Sequence, residues 1–187
     1  MKGKRRGVLI LIVLTCLFLL LNTSFVWKWM YPIKYRSEIL AASQQFQVDP
    51  YLILAVVRSE SSFVPDRVSS KGAIGLMQVM PDTAEWIVSQ AGLQVPHTEY
   101  LYDPVTNISI GTWYLNYLMA RYDGDMVKVI AAYNAGPGKV SSWLRDNQWN
   151  GTRETIEDIP FPETRKYVER VLYYHDRYQN VYDHELQ

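Results

Sequence analysis

Helix-start signals that contain proline recur along this chain and constrain its fold more than any other feature. They stand directly before segments with helical spacing of apolar residues, at Asp49-Pro50, Pro81-Asp82, Asp103-Pro104 and Pro162-Glu163. Proline suits the first turn of a helix, where its missing N–H leaves no hydrogen bond unmade. Sustained alternation of apolar and polar residues is absent, so we expect little or no sheet. The sequence therefore predicts an all-α domain.

The extent of each helix follows from these starts and from the stop signals after them. We expect helices over Pro50–Glu60, Pro81–Gly92, Pro104–Tyr122, Asp125–Ala135, Lys139–Leu144 and Pro162–Tyr178. A polar loop separates the last two. Because 48% of the 187 residues are apolar, a chain of this length can bury one substantial core.

The N-terminus combines a basic tip with a long apolar segment. Four cations lie among the first six residues, and the stretch from Gly7 to Trp27 is long enough to cross about 30 Å of hydrocarbon. We therefore expect residues 1–31 to form a cytoplasmic tip and one transmembrane helix, and residues 32–187 to form an extracytoplasmic domain. The alternative is a cleaved signal peptide and a secreted domain, because the strongest apolar run, Val8–Leu21, is short.

Charge and histidine content exclude other classes of protein. Seven cations precede Glu38, the first acid, so the rest of the chain carries twelve cations against nineteen acids. An acidic body gives no support to nucleic-acid binding, which requires a basic face. His97, His175 and His184 are too dispersed for a metal site, and we expect each to be a surface or packing residue. No cofactor is expected.

Glu60 ends an apolar helical stripe and is the first candidate for chemistry. It shares one helix face with Ile53, Val56 and Val57, at spacings of three and four residues. Removal from water disfavours an ionised carboxylate, so the pKa of Glu60 should be raised, as a general acid requires. Alternatively, Glu60 is the first polar residue of a fraying helix end and pairs with Arg58 or a more distant cation.

Two loops place amides among apolar or small residues. Gln78 stands alone among Leu76, Met77, Val79 and Met80, where its amide either binds a sugar group or ties the loop to the helix backbone. The second loop, Ala131–Gly138, contains Tyr133 and Asn134 and then a helix stop. Gly136 is expected there in the left-handed conformation.

Four motifs occur in one order along the chain: Glu60-Ser61, Gly75-Leu76-Met77-Gln78, Ala132-Tyr133-Asn134-Ala135-Gly136 and Glu163-Thr164-Arg165-Lys166-Tyr167-Val168. In content, order and spacing they resemble the motifs of the soluble lytic transglycosylase catalytic domain, over roughly Glu38 to Tyr178. The resemblance implies a compact helical domain similar to goose-type lysozyme. It also implies a peptidoglycan substrate whose β-1,4 bond between N-acetylmuramic acid and N-acetylglucosamine is cleaved without water.

This family is understood to use a single carboxylate, where other glycosidases use two. By that resemblance Glu60 protonates the bridging oxygen and then accepts the proton of the C6 hydroxyl, giving a 1,6-anhydromuramoyl end. Asp66 and Asp82, the next acids along the chain, lie beside prolines in expected turns and are poor candidates for a second carboxylate.

The resemblance also implies supporting roles. Ser61 would orient the reacting groups, Met77 and Gln78 would line the saccharide cleft, and Tyr133 and Asn134 would contact substrate near Glu60. Tyr167 would hydrogen-bond to the catalytic carboxyl, although its helical spacing with Tyr174 and Tyr178 is also typical of a core position. Six further aromatic residues are candidates for sugar stacking, at least half of them expected in the core: Trp86, Trp113, Tyr114, Tyr117, Trp143 and Trp149.

The sequence thus favours a membrane-anchored lytic transglycosylase acting on peptidoglycan glycan strands. A hydrolytic muramidase is the enzymatic alternative, and it requires an activated water. A non-catalytic peptidoglycan-binding scaffold is the alternative from another class. Such a protein is expected to lose its acid or the surrounding amides, whereas Glu60, Gln78 and Asn134 are all present.

Overall fold

The computed structural model describes residues 2–21, 24–93, 99–182 and 185–186, and within them the fold is helical. The α-helices of this part of the chain are α1 (Lys2–Leu21), α2 (Ser24–Met30), α3 (Arg36–Phe46), α4 (Pro50–Glu60), α5 (Pro81–Ala91), α6 (Pro104–Arg121), α7 (Met126–Ala135), α8 (Pro137–Arg145) and α9 (Pro162–Tyr182). The described residues contain no β-strand, only isolated bridges from Ile74 to Val68 and to Val79. The predicted all-α class is confirmed.

Each of the four proline-containing starts opens a helix at the predicted residue. At two of these starts a side chain caps the helix, because the carboxylates of Asp49 and Asp103 accept backbone N–H groups of the first turns of α4 and α6. Asp125 caps α7 in the same way. Other helix boundaries differ from the prediction. The helix predicted from Lys139 begins at Pro137, α9 runs on to Tyr182, and a 3-10 helix over Arg153–Asp158 lies in the predicted polar loop.

The conformation predicted for Gly136 is wrong in one respect. Its φ of 90° is positive, as expected of a glycine helix stop, but its ψ of 143° is extended and not left-handed helical. The following residue is Pro137, whose ring excludes helical ψ values from the residue before it. Gly136 therefore ends α7 and turns the chain directly into α8.

The core forms around α4. Seven consecutive residues of this helix, Tyr51 to Val57, are buried, and the helix packs against α9 on one side and α3 on another. In turn α9 packs against α7, which brings the C-terminal end of α4 between the other two helices. Glu60 is the last residue of α4, so this packing fixes where its carboxylate can lie.

The N-terminal helices differ in their contact with this core. Tyr31, just after α2, is buried against α9, where its hydroxyl pairs with that of Tyr173 at 2.8 Å. Along α1 the apolar side chains from Val8 to Leu14 are exposed. Within the described residues, no helix has both the length and the apolar character needed to cross a membrane, so the predicted transmembrane helix over Gly7–Trp27 is not confirmed.

Candidate active site

Glu60 lies where two cavities of one cleft meet. Cavity I has a volume of about 360 Å³ and extends from Glu60 towards Tyr133 and Phe161. Cavity II has a volume of about 570 Å³ and extends from Glu60 towards Arg67 and Arg170. Six residues line both cavities: Glu60, Ser69, Ser70, Gln78, Asn134 and Glu163. A long polymer lying in the cleft would therefore pass the Glu60 carboxylate, with the segment before it in one cavity and the segment after it in the other.

The pKa of Glu60 is raised to about 7 from an ordinary value of 4.5, chiefly because burial disfavours the ionised carboxylate. Tyr167, Arg170 and Arg67 act in the opposite direction and lower this pKa, and Glu163 raises it further. The elevation predicted from the apolar helix face is thus present. At neutral pH a substantial fraction of Glu60 retains its proton, and Glu60 pairs with no cation in the described residues, Arg58 included.

Two tyrosines lie beside this carboxyl, of which Tyr167 is buried and Tyr133 is half-buried. Burial and the charge of Glu60 raise the pKa of both Tyr133 and Tyr167 well above the ordinary value, so both phenols stay protonated. The Tyr133 hydroxyl donates to the Met77 carbonyl oxygen at 3.0 Å. The Tyr167 hydroxyl has no partner with full hydrogen-bond geometry in the described residues. It nevertheless lies close enough to Glu60 to stabilise the ionised carboxylate and so lower its pKa. Tyr167 is therefore available to respond to the charge on Glu60.

Gln78 serves the loop, and it also lines the cleft. Its Nε2 donates to the carbonyl oxygens of Arg67 and Gly75, both at 2.9 Å, and its φ of 49° is left-handed. The Gln78 side chain nevertheless borders both cavities, and its Oε1 accepts no hydrogen bond from the described residues. The two interpretations of this amide are compatible, because one end ties the loop while the other end remains free for a ligand.

Gly75 explains why this loop can approach the core so closely. A Cβ at this position would collide with the Asn107 side chain, and the φ of 83° favours glycine. Asn107 is buried and holds the loop from below, accepting from Met77 N at 2.8 Å and donating to Ile74 O at 3.0 Å. The Gly-Leu-Met-Gln motif is therefore fixed as a unit against α6.

Asn134 is oriented by Thr164, a residue of the fourth motif to which the sequence assigned no role. The Thr164 hydroxyl, buried at the start of α9, donates to Asn134 Oδ1 at 2.8 Å. This bond leaves the Asn134 Nδ2 without a hydrogen bond to the described residues. An amide N–H beside Glu60 is thus free to donate to a sugar oxygen.

Two of the residues assigned by resemblance do not line the described cavities. Ser61 is fully buried, and its hydroxyl returns to the Val57 carbonyl oxygen at 3.2 Å. The Met77 side chain is also fully buried and packs against Gly111, while Met80, three residues on, lines cavity I. Ser61 and Met77 can influence the cleft only by holding its backbone in place.

A second carboxylate does line the cleft, and it is Glu163. Neither Asp66 nor Asp82 borders cavity I or cavity II. Glu163 lies at the start of α9, is 72% exposed, and forms an ion pair with Lys71 at 2.9 Å. Glu163 is thus solvated and paired, whereas Glu60 has no ion-pair partner in the described residues.

Two of the six aromatic candidates are buried in the core, and the other four lie in or beside a surface cavity. Trp143 and Trp149 are buried, whereas Trp86, Tyr114 and Tyr117 line a third cavity of about 310 Å³. Trp113 stacks on Tyr117 behind this cavity. The Tyr114 ring contacts the Tyr133 ring of cavity I at 5.6 Å, so the aromatic cavity adjoins the cleft.

The structure also shows where one of the three histidines and the three tyrosines that share helical spacing on α9 lie. His175 is a packing residue, as expected, and its Nε2 lies 2.6 Å from the Asp49 carboxylate at the start of α4. His97 and His184 lie outside the described residues. Tyr167 and Tyr178 are both buried in the core and Tyr174 packs against it, but of the three only Tyr167 also lines cavity II. The three tyrosines thus share spacing without sharing a role.

Three cations around cavity II were missed from the sequence: Arg67, Lys166 and Arg170. Lys166 falls within a motif and Arg170 lies one turn further along α9, but Arg67 belongs to a different loop. Only the packing of α9 beside the loop before Gly75 brings them together, and no local pattern predicts that contact.

An all-helical domain with one buried, proton-retaining carboxyl at the centre of an open cleft belongs to the lysozyme-like class. The transglycosylase SLT domain model matches residues 37–156. The soluble lytic murein transglycosylase of Escherichia coli is 38% identical over 153 residues, 80% of this chain and 23% of the relative. Membrane-bound lytic murein transglycosylase C of Edwardsiella ictaluri is 43% identical over 116 residues, 57% of this chain and 32% of the relative.

The chain belongs to the transglycosylase SLT domain family. Its fold matches an X-ray structure of an inactive glutamate-to-glutamine mutant of lytic transglycosylase Slt from Pseudomonas aeruginosa, with a TM-score of 0.74 and 37% identity. That match covers 82% of this chain and 25% of the solved chain. This chain spans about a quarter of the length of the soluble relatives it matches.

Proposed function

We propose that this protein is a peptidoglycan lytic transglycosylase in which Glu60 is the single catalytic carboxyl. It would cleave the β-1,4 bond between N-acetylmuramic acid and N-acetylglucosamine and leave 1,6-anhydromuramoyl ends. The observation that carries the proposal is the position of Glu60 at the junction of the two cavities, with a pKa of about 7. The murein transglycosylase relatives support the substrate class.

The proposed reaction returns Glu60 to its starting state. In the first step the protonated carboxyl donates to the bridging oxygen as the bond to C1 breaks, and the substrate's 2-acetamido oxygen stabilises C1. In the second step the ionised carboxylate accepts the C6 hydroxyl proton while the C6 oxygen bonds to C1. General acid catalysis is most effective when the pKa lies near the working pH, which Glu60 satisfies.

The neighbouring groups have distinct parts in this proposal. Tyr167, which favours the ionised form of Glu60, would stabilise the carboxylate between the two steps. The free Nδ2 of Asn134 and Oε1 of Gln78 would bind sugar hydroxyl or acetamido groups beside it.

Product analysis tests the reaction. The full chain in detergent, incubated with purified peptidoglycan in H₂¹⁸O, should release 1,6-anhydro products without ¹⁸O in the new ends, as read by mass spectrometry. Glu60→Gln should lower the rate by about 10²- to 10⁴-fold, the usual contribution of a general acid. The matched control is Glu169→Gln, an exposed acid on α9 that lines neither cavity, and it should keep the native rate.

The same experiment separates the alternatives. Reducing ends labelled with ¹⁸O would identify a hydrolytic muramidase, for which Glu163 is the one other carboxylate lining the two described cavities. Binding of glycan without turnover by the native chain would identify a scaffold. Either result would contradict the proposed reaction, and circular dichroism of each variant excludes loss of fold as the cause.

We further propose that residues 1–31 form a cytoplasmic tip and a single-pass membrane anchor, and that residues 32–187 form an extracytoplasmic catalytic domain. Support comes from the exposed apolar side chains of α1, such as Leu9 and Leu11 at 65%, and from relatives named as membrane-bound. Carbonate extraction of cell membranes should leave the protein in the pellet. An intact mass lacking the N-terminal segment would instead indicate a cleaved signal peptide and a secreted domain.

A further inference from the structure

The cleft carries a charge opposite to that of the rest of the domain. From Glu38 onward the chain has seven more acids than cations, yet cavities I and II together are lined by two acids and five cations. The acids are Glu60, of which a substantial fraction is protonated near neutral pH, and Glu163. The cations are Arg67, Lys71, Lys139, Lys166 and Arg170. An anion approaching this acidic domain is therefore favoured at the cleft.

The cations of cavity II are not neutralised by the protein. Within the described residues Arg67, Lys166 and Arg170 form no ion pair within 4.0 Å. Arg165 on the same helix is different, because it pairs with Glu157 at 3.0 Å and points away from both cavities. The domain thus has acids available for pairing but leaves three cations free around one cavity.

Two separate elements hold these cations in place. The Arg67 carbonyl oxygen accepts from Gln78 Nε2 and from Gly75 N, both at 2.9 Å, which ties its backbone to the Gly-Leu-Met-Gln loop. Lys166 and Arg170 are four residues apart on α9, so they share one face of that helix. The Arg170 guanidinium lies over the Tyr167 ring at 5.6 Å. The three charges therefore surround a defined volume beside Glu60.

We propose that cavity II binds a carboxylate carried by the substituent of the muramoyl residue, and that this contact makes the protein selective for anionic glycan strands. This inference rests on the proposed function. The sugar backbone itself is uncharged, so an anion in the cleft must come from the substituent: the peptide stem or, on a strand without stems, the lactyl group. Two arginines suit planar, bidentate binding of carboxylate, and a volume of about 570 Å³ accommodates a short peptide.

Turnover of matched strands tests this proposal. The substrates are strands with free stem carboxylates, the same strands with those carboxylates amidated, and stem-free strands with a free lactyl carboxylate. We expect native protein to prefer the carboxylate form over the amidated form by about tenfold in kcat/KM, mainly through KM. An exposed ion pair contributes up to about fivefold, and three cations act together. The response of the stem-free strand identifies which carboxylate is bound.

The test variant is Arg67→Gln/Lys166→Gln/Arg170→Gln. The readout is the preference ratio, that is, kcat/KM for the carboxylate strands divided by kcat/KM for the amidated strands. A change that affects both substrates equally cancels in this ratio. The ratio should fall to about one, as it should for native protein in 0.5 M salt. The control Arg145→Gln removes an exposed cation that lines neither cavity and should keep the native ratio. Equal turnover of carboxylate and amide strands by native protein, or an unchanged ratio in the triple variant, would overturn the proposal.

A binding arm separates this inference from the proposed reaction. Calorimetry on Glu60→Gln, with and without the three cation substitutions, measures the affinity for a muramoyl peptide with free carboxylates and for its amidated form. Selective binding that depends on the three cations supports the inference whether or not the native protein turns over glycan, whereas absence of turnover by native protein would count against the proposed reaction alone. Circular dichroism of the triple variant and the three single variants keeps the test valid if combined substitution disturbs the fold.

Discussion

Helices α4 and α9 meet at the candidate active site but differ in burial and polarity. The first is apolar and buried on all sides from Tyr51 to Val57, and it ends at the candidate acid. The second buries one face and exposes the other, which carries charged residues such as Lys166 and Arg170. The buried helix therefore sets where the acid lies and raises its pKa, while the half-exposed helix supplies neighbours that adjust it.

This division predicts that substitutions on α4 act mainly on stability and on the acid itself, and that substitutions on α9 act on the tuning of the acid. The predictions below test that distinction, and their expected effects decrease from the first to the last.

Removing core volume from α4 should have the largest effect. Leu52 is fully buried, so Leu52→Ala should lower the free energy of unfolding by about 2–5 kcal/mol through lost burial and the remaining cavity. The exposed-face control on α9, Glu169→Ala, should change it by less than about 0.5 kcal/mol. Urea denaturation measures both. Similar losses in the two variants would contradict the contrast between the helices.

The acid itself should destabilise the protein at alkaline pH. Its folded-state pKa of about 7 exceeds the ordinary 4.5, so below pH 4.5 both folded and unfolded states are protonated and the native stability is complete. As pH rises to 7 and beyond, the unfolded state loses its proton first and the stability contribution is lost. Glu60→Gln should therefore unfold like the native protein at pH 4 but be more stable at pH 8, by about 3 kcal/mol at most.

Urea denaturation at both pH values makes this measurement. Glu169→Gln is the matched control, because it makes the same chemical change on an exposed position of α9. A gain for Glu60→Gln of equal size at pH 4 and pH 8 would mean that the effect does not come from ionisation of Glu60.

These residues also show what can be predicted from sequence. Asp49-Pro50 and the apolar run after it are local signals, and they predict both α4 and the raised pKa of Glu60. The motifs also bring Gln78, Asn134 and Tyr167 to the cleft, as expected by resemblance. Met77 instead lies in the core, because its loop packs against Gly111 of α6. Ser61 is buried at the end of α4, where its hydroxyl turns back to the Val57 carbonyl oxygen.

The neighbours of Glu60 were less accessible to prediction. Arg67 and Arg170 are separated by about one hundred residues, and each has an unremarkable local sequence. Glu163 was recognised as part of a motif but not as the second carboxylate of the cleft. Their influence on Glu60 follows from the long-range packing of α9 against α4 and α7, which no periodicity within one helix encodes.

The hydroxyl of Tyr167 should tune Glu60 without supporting the fold. In the described residues it has no partner with full hydrogen-bond geometry. Tyr167→Phe should therefore leave the free energy of unfolding within about 0.5 kcal/mol of native. Because the hydroxyl lowers the pKa of Glu60, its removal should move the alkaline limb of the pH–rate profile upward. Loss of one interaction with the carboxylate should lower kcat by up to about tenfold.

Tyr178→Phe is the control for that substitution, since Tyr178 lies on the same helix but away from the cavities. It should leave the pH–rate profile unchanged. An alkaline limb that stays in place in Tyr167→Phe would show that the phenol does not interact with the ionised acid.

The smallest effect is expected from the exposed face of α9. Arg170 lowers the pKa of Glu60 by charge alone, across a solvated cleft, so Arg170→Gln should raise the alkaline limb of the pH–rate profile by only a few tenths of a unit. The difference should vanish in 0.5 M salt, because exposed charges are then screened. Arg177→Gln, seven residues further along α9 and packed over the rings of Trp27 and Tyr173, should not move the profile. A shift for Arg170→Gln that persists in high salt would mean that Arg170 contacts the acid directly, and α9 would then fix the acid as α4 does.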